Sequence, residues 1–224
     1  MKSVEELNTI VLHRVVDHSP VDFIDISLET LKFILSKSRY NFVSIEEAFQ
    51  NKFQDGPSIC LTFDDGFSSD YDLVLPELKK INSTATFFIV TDFLNTPGYL
   101  TTMQVKSLSE NGMQIGSHSK SHPNFLRLTS SERIDELHES KVSLEEIIGK
   151  EVTAFSFPFG YYDQKCAEAV FSAGYSICCT SQHGISSRLN AMMPRNSINA
   201  KTSFNRIEKI LDPTSGQRLS WYIE

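Results

Sequence analysis

No stretch of this 224-residue sequence comes near the ~20 consecutive apolar residues a membrane-crossing helix needs, which argues against a membrane span. Positive charge is not in excess either. Against 21 basic residues stand 28 acidic ones, and a formal charge of −7 would repel a phosphate backbone, so no nucleic-acid partner is expected. Cysteine is scarce: Cys60, Cys166, Cys178 and Cys179 form no CxxC pair and three lie in apolar stretches, the pattern of reduced, packed thiols. Adjacent Cys178 and Cys179 would project to opposite faces of a strand, which disfavours a shared metal or a disulfide between them. The opening MKSVEELNTIVLHRVV has a charged start, but its β-like segment soon meets Arg14 and Asp17; this argues against a signal peptide and predicts a cytoplasmic location. Repeats, low-complexity tracts and Pro/Gly/Ser-rich linkers are also missing, so residues 1–224 are expected to form one domain.

What is present is alternation. Short apolar runs at residues 9–15, 57–63, 85–90, 113–117, 153–157 and 175–180 read as strands. Helical patterns at 27–38, 44–49, 73–81, 102–111, 130–148 and 164–173 separate them, with Gly112 and Gly149 as stop signals. Residues 193–199 add a seventh strand and 204–211 a last helix. Near-continuous apolar strands alternating with helices predict an α/β fold, a small, distorted or incomplete (β/α) barrel of about seven parallel strands with helices outside. In such folds chemistry collects at the carboxyl ends of the strands.

Polar residues do gather there. ICLTF runs into Asp64-Asp65-Gly66, which is either a solvated turn or two carboxylates beside a cation, one holding it and one acting as a base. MQIGS ends in His118-Ser119-Lys120-Ser121-His122-Pro123, where Pro123 disfavours a helical His122. Two imidazoles and a carboxylate form an open tripod for zinc or a similar divalent ion. TAFSF ends in Pro158-Phe159-Gly160-Tyr161-Tyr162-Asp163, a barrel rim or a wall whose backbone N–H groups stabilise an oxyanion. The first strand ends in His13-Arg14, so a further imidazole shares the rim if all strands are parallel. His18 and His138 read as a loop and a helix surface. Trp221 and Tyr222 leave two roles open, closing the sheet or contacting a sugar.

Thr62-Phe63-Asp64-Asp65-Gly66 and His118-Ser119-Lys120-Ser121-His122, with the strand TATFFIV between them, resemble the first two motifs of the polysaccharide deacetylases of carbohydrate esterase family four, the NodB homology domain. The resemblance covers nearly the whole chain. It implies that Asp65, His118 and His122 bind a divalent metal, most simply Zn2+ with Co2+ or Ni2+ as alternatives. It further implies that Asp64 is the general base and that Phe159, next to Pro158, offers its backbone N–H to the oxyanion. Two departures stand out: Ser156 occupies the arginine position of the third motif, and no late LxH motif follows residue 180. The circularly permuted branch that includes the poly-N-acetylglucosamine deacetylases is a closer likeness. There Val11-Leu12-His13-Arg14-Val15 resembles the relocated acid motif, making His13 the acid, and Met193-Pro194-Arg195 resembles a Leu-Pro-Arg, making Arg195 the group that orients Asp64. His183 is the rival acid, and Asp163 is a partner for either His13 or the substrate.

The function so implied is metal-dependent removal of the N-acetyl group from an acetamido sugar, in a glycan, a polysaccharide or a precursor in surface-polysaccharide assembly. A metal- or carbohydrate-binding module without turnover is the alternative. Asp64 weighs against it, because a carboxylate beside the metal ligands that does not ligate has a use only as a base. The identity of the sugar and the oligomeric state are left open by the sequence.

Overall fold

A computed structural model of the protein describes residues 6–50, 57–187 and 190–212. Trp221 and Tyr222 lie outside the described residues. In chain order the elements are β1 (Glu6–Leu12), β2 (Val15–Val16), β3 (Ile26–Ser27), α1 (Leu28–Leu35), β4 (Asn41–Val43), α2 (Ile45–Phe49), β5 (Ser58–Phe63), α3 (Leu75–Lys80), β6 (Thr86–Ile89), α4 (Thr102–Glu110), β7 (Gln114–Ser117), α5 (Ser130–Ile148), β8 (Ala154–Ser156), α6 (Gln164–Ser172), β9 (Ile177–Cys179), β10 (Ile185–Ser187), β11 (Met192–Met193), β12 (Asn196–Ser197) and α7 (Phe204–Leu211). A π-helical turn over Asp70–Val74 leads into α3. The strands form a mostly parallel sheet in the order β10-β1-β5-β6-β7-β8-β9-β11, with β4 beside the first half of β5. Among the described residues no helix is long and apolar enough to cross a membrane.

The sheet curls into a nearly closed barrel, and the expected seventh strand is its seam. Met192 and Met193 pair with β9, whereas Asn196 and Ser197 pair with β1, so one short segment reaches from one edge of the sheet to the other. Pro194 falls between the two pairings, where it has no amide to contribute to a ladder. Two further features depart from the expected pattern. β1 ends at Leu12, and Val15-Val16 pairs off the barrel with Ile26-Ser27, while β10 runs antiparallel along the start of β1.

Strand alternation sorts residues into two layers. Leu61, Phe63, Phe87, Ile115, Phe155 and Cys178 pack outward against buried residues of the helices, among them Leu31, Leu78, Leu108 and Leu137. Leu7, Cys60, Phe88, Ala154, Cys179 and Met193 form a separate interior cluster, closed at one end by Ile45 and Ala48 of α2. The two adjacent cysteines thus lie in different layers, as a period of two requires. The interior is tightly filled: a Cβ on Gly116 would sit 2.5 Å from the Phe88 ring, so only glycine fits there. The same alternation carries the interior face to the strand ends, through Leu7, Thr9 and Val11 to His13, through Cys60 and Thr62 to Asp64, through Gly116 to His118, and through Ala154 to Ser156.

Candidate active site

At the carboxyl ends of β1, β5, β7 and β8 the interior turns polar. Asp64 and His118 are almost fully buried, His13, Asp65 and His122 half-buried. Asp65 Oδ1 lies 3.4 Å from Nε2 of both His118 and His122. One donor atom from each of these three side chains falls within 4.8 Å of the others, close enough for a single cation to touch all three. The donor chemistry fits a divalent ion. His118 Nδ1 is 2.8 Å from the Ser156 carbonyl and donates to it, which leaves the Nε2 lone pair turned toward Asp65. Holding these groups together takes unusual backbone: Asp65, Ser119 and His122 all have left-handed φ, at 78°, 69° and 62°. Such conformations cost about 1–3 kcal/mol each and persist where the surroundings enforce them.

Asp64 borders this tripod, its Oδ2 3.9 Å from His118 Nε2, but its main partner is Arg195. Its oxygens accept Nη1 and Nη2 of Arg195, each at 2.7 Å, and Ser156 Oγ donates to it at 3.3 Å. Arg195 is itself fixed by donating to Thr62 Oγ1, Ser156 Oγ and the Thr180 carbonyl. Ser156 therefore has a physical reason to be small, since a longer side chain at this position would occupy the space of the guanidinium. Burial alone would raise the Asp64 pKa, but Arg195 and His118 outweigh it and hold the carboxyl below its ordinary range. Burial likewise opposes ionisation of Asp65, and its close contacts with the His118 and His122 imidazoles outweigh this and hold it well below that range.

His13 joins the cluster from β1. Burial lowers its pKa from the ordinary imidazole value, partly opposed by the charges of Asp64 and Asp65. His183 stands elsewhere, exposed beside Phe23, Asn199 and Arg206 at the edge of α7. Asp163 is spent locally: its Oδ1 accepts the Cys166 amide at 2.8 Å as the N-cap of α6. Pro158 is buried, and Phe159, with φ 58°, projects a 59% exposed ring edge-on to His122 at 4.5 Å. An arc of rings continues from it, with the exposed Tyr161 on one side and Phe93, Tyr99 and Phe67 on the other. Sequence reasoning missed this second limb, because Phe93 and Tyr99 sit in a loop with no periodic signal.

Residues 51–178, more than half of the chain, match the polysaccharide deacetylase family. The chain belongs to that family. The match takes in both carboxylates, both histidines and Ser156, but neither His13 nor Arg195. Bacillus subtilis YxkH is 29% identical over 143 residues, 64% of this chain and 51% of that protein. The peptidoglycan-N-acetylglucosamine deacetylase PgdA of Listeria monocytogenes is 31% identical over 134 residues, 59% of this chain and 28% of that one. The chain thus spans about half or less of these relatives. Among solved structures, the Streptococcus pyogenes deacetylase PplD superposes with a TM-score of 0.83 at 23% identity, over 93% of this chain and 99% of that one. IcaB from Ammonifex degensii gives 0.81 at 20% identity, over 92% and 97%. At these identities the superpositions establish the barrel as the family's fold.

Proposed function

We propose that this chain forms a single metal-dependent carbohydrate N-deacetylase domain acting on the acetamido group of a sugar in a glycan, a polysaccharide or its precursor. The observation that carries this reading is the division of labour between adjacent carboxylates, Asp65 facing two imidazoles and Asp64 forked by Arg195. Asp65, His118 and His122 would hold the ion, most simply zinc, with cobalt or nickel also suited to the set. When bound, it would polarise the acetyl carbonyl and lower the pKa of water from ~15.7 toward ~7.

The protein's own residues do the rest. Asp64, stabilised as an anion by Arg195, is a weak base, and takes a proton only from water that is already acidified. This is why the two carboxylates belong together. The Phe159 amide would donate to the developing oxyanion, and His13 would give its proton to the leaving amine; an imidazole whose pKa is lowered by burial is the stronger acid once protonated. The exposed faces of Phe159 and Tyr161 suit the apolar face of a pyranose ring.

The test is acetate release from a panel of N-acetylhexosamine monomers and oligomers, with and without chelator, beside metal content of wild type and His118→Ala. Stoichiometric metal lost in the variant and chelator-sensitive acetate release are expected. Metal without acetate release across the panel would favour a binding module. A wild type that holds no zinc, cobalt or nickel after reloading would overturn the ligand assignment.

A further inference from the structure

The loop between His118 and His122 is tied at every amide. Ser119 donates to Ser117 Oγ and His122 to Ser119 Oγ, at 3.2 and 3.0 Å. The two central amides, of Lys120 and Ser121, converge on one oxygen of Glu136 at 2.9 and 2.8 Å, and Ser121 Oγ donates to its other oxygen. Glu136 lies on α5, one turn before Ser140, whose Oγ meets Ser117 Oγ at 2.8 Å. Helix α5 therefore grips β7 at its last residue and the following loop at its centre. On its other side the loop's carbonyls at Ser119 and Lys120 accept the amides of Thr91 and Asp92.

We propose that Glu136 is a positioning residue for the metal ligands, a role that rests on the metal reading above. Two amides aimed at one carboxylate oxygen are charge-assisted bonds, stronger than their neutral equivalents. They lie between Ser119 and His122, the two loop residues with left-handed φ. Neither has the freedom of glycine, so without an outside anchor the loop relaxes toward commoner conformations and His122 leaves its place opposite Asp65. Glu139, one turn further along α5, pairs with the Lys120 ammonium at the surface, and among the described residues it accepts no loop amide.

Cobalt(II) titration of the metal-free protein, followed by the visible ligand-field bands, tests this. Removing a group that orients a metal ligand typically weakens affinity about 10- to 100-fold. Glu136→Ala is expected to lose affinity in that range with altered band intensities, Glu136→Gln, which keeps an acceptor oxygen, to recover most of it, and Glu139→Ala to match wild type. If Glu136→Ala unfolds, Glu136→Ser, polar but too short to reach the loop, carries the test on the same criterion. Affinity within twofold of wild type in the shortened variant would overturn the proposal, as would an equal loss in Glu139→Ala. A wild type that takes up no cobalt is a different failure: it removes the metal reading itself.

Discussion

Arg195 grips Asp64 with both arms of its guanidinium, Nη1 to Oδ1 and Nη2 to Oδ2 at 2.7 Å each, and both residues are only 3% exposed. The planar fork matches the carboxylate, which the point charge of a lysine would not. Breaking a buried pair leaves the survivor uncompensated, at a typical cost of about 3–5 kcal/mol. Arg195→Met should therefore destabilise the protein by that order in denaturant unfolding, and adding Asp64→Asn should recover much of the loss. A single-variant cost of the size seen for surface substitutions, within about 0.5 kcal/mol, would show that the pair is not holding the barrel mouth.

Asp64→Asn alone separates a base from a structural anion. The amide keeps most of the shape, and the ligands Asp65, His118 and His122 are untouched. Turnover should fall about 10²- to 10⁴-fold, the usual range for loss of a positioned proton acceptor, while metal content stays stoichiometric. Parallel loss of metal in a variant that still unfolds cooperatively would instead place Asp64 among the ligands.

What was legible in the sequence was local. The alternation of Cys60, Thr62 and Asp64 is visible in ICLTFDD, and it sets which carboxylate faces the interior once the strand is recognised. The ends of β5 and β7 and the stop at Gly149 also follow from neighbours in the chain, whereas the ends of the first and seventh strands do not. The contact between Asp64 and Arg195 spans 131 positions and leaves no periodic trace; only the likeness of Met193-Pro194-Arg195 to a family motif pointed to it. Asp163 shows the reverse case. Its place just before a helical run is an N-cap signal in plain view, and the structure uses it as one. Glu136 was hidden because a charged residue on an amphipathic helix reads as solvated surface, and nothing in the sequence says which loop lies above it.

Asp70 is wholly buried in the π-helical turn after β5, and neither of its oxygens has a hydrogen-bonding partner among the described residues. Burial, with Asp65 and Asp64 nearby, raises its pKa well above the ordinary carboxylate value. The folded state then binds a proton that the unfolded state releases, so this group's contribution declines as pH rises above the unfolded pKa of 3.8. Asp70→Asn removes the titration. The variant should be more stable than wild type at pH 7, because wild type alone must hold a proton there, and the advantage should shrink toward pH 4. Thermal unfolding of both proteins across that range reads the sign directly; a variant less stable at pH 7 would mean that the ionised carboxylate has a partner worth keeping.

The assignment of the acid can be read from a pH profile. His13 lies with Asp64, Asp65 and His118, whereas His183 is exposed near α7. As a proton donor His13 must start protonated, and its pKa is lowered from 6.5 because burial outweighs the nearby carboxylates. The protonated fraction falls as pH rises through that lowered value, so an alkaline limb in kcat/KM should have its midpoint below 6.5. A cation on the tripod would repel the imidazolium and move the midpoint further down, leaving the sign unchanged. His13→Gln should remove this limb along with most of the rate, and His183→Ala should leave both in place. If the limb survives in His13→Gln, the proton reaches the amine from another group; if it disappears in His183→Ala, the loop near α7 must close over the site during turnover.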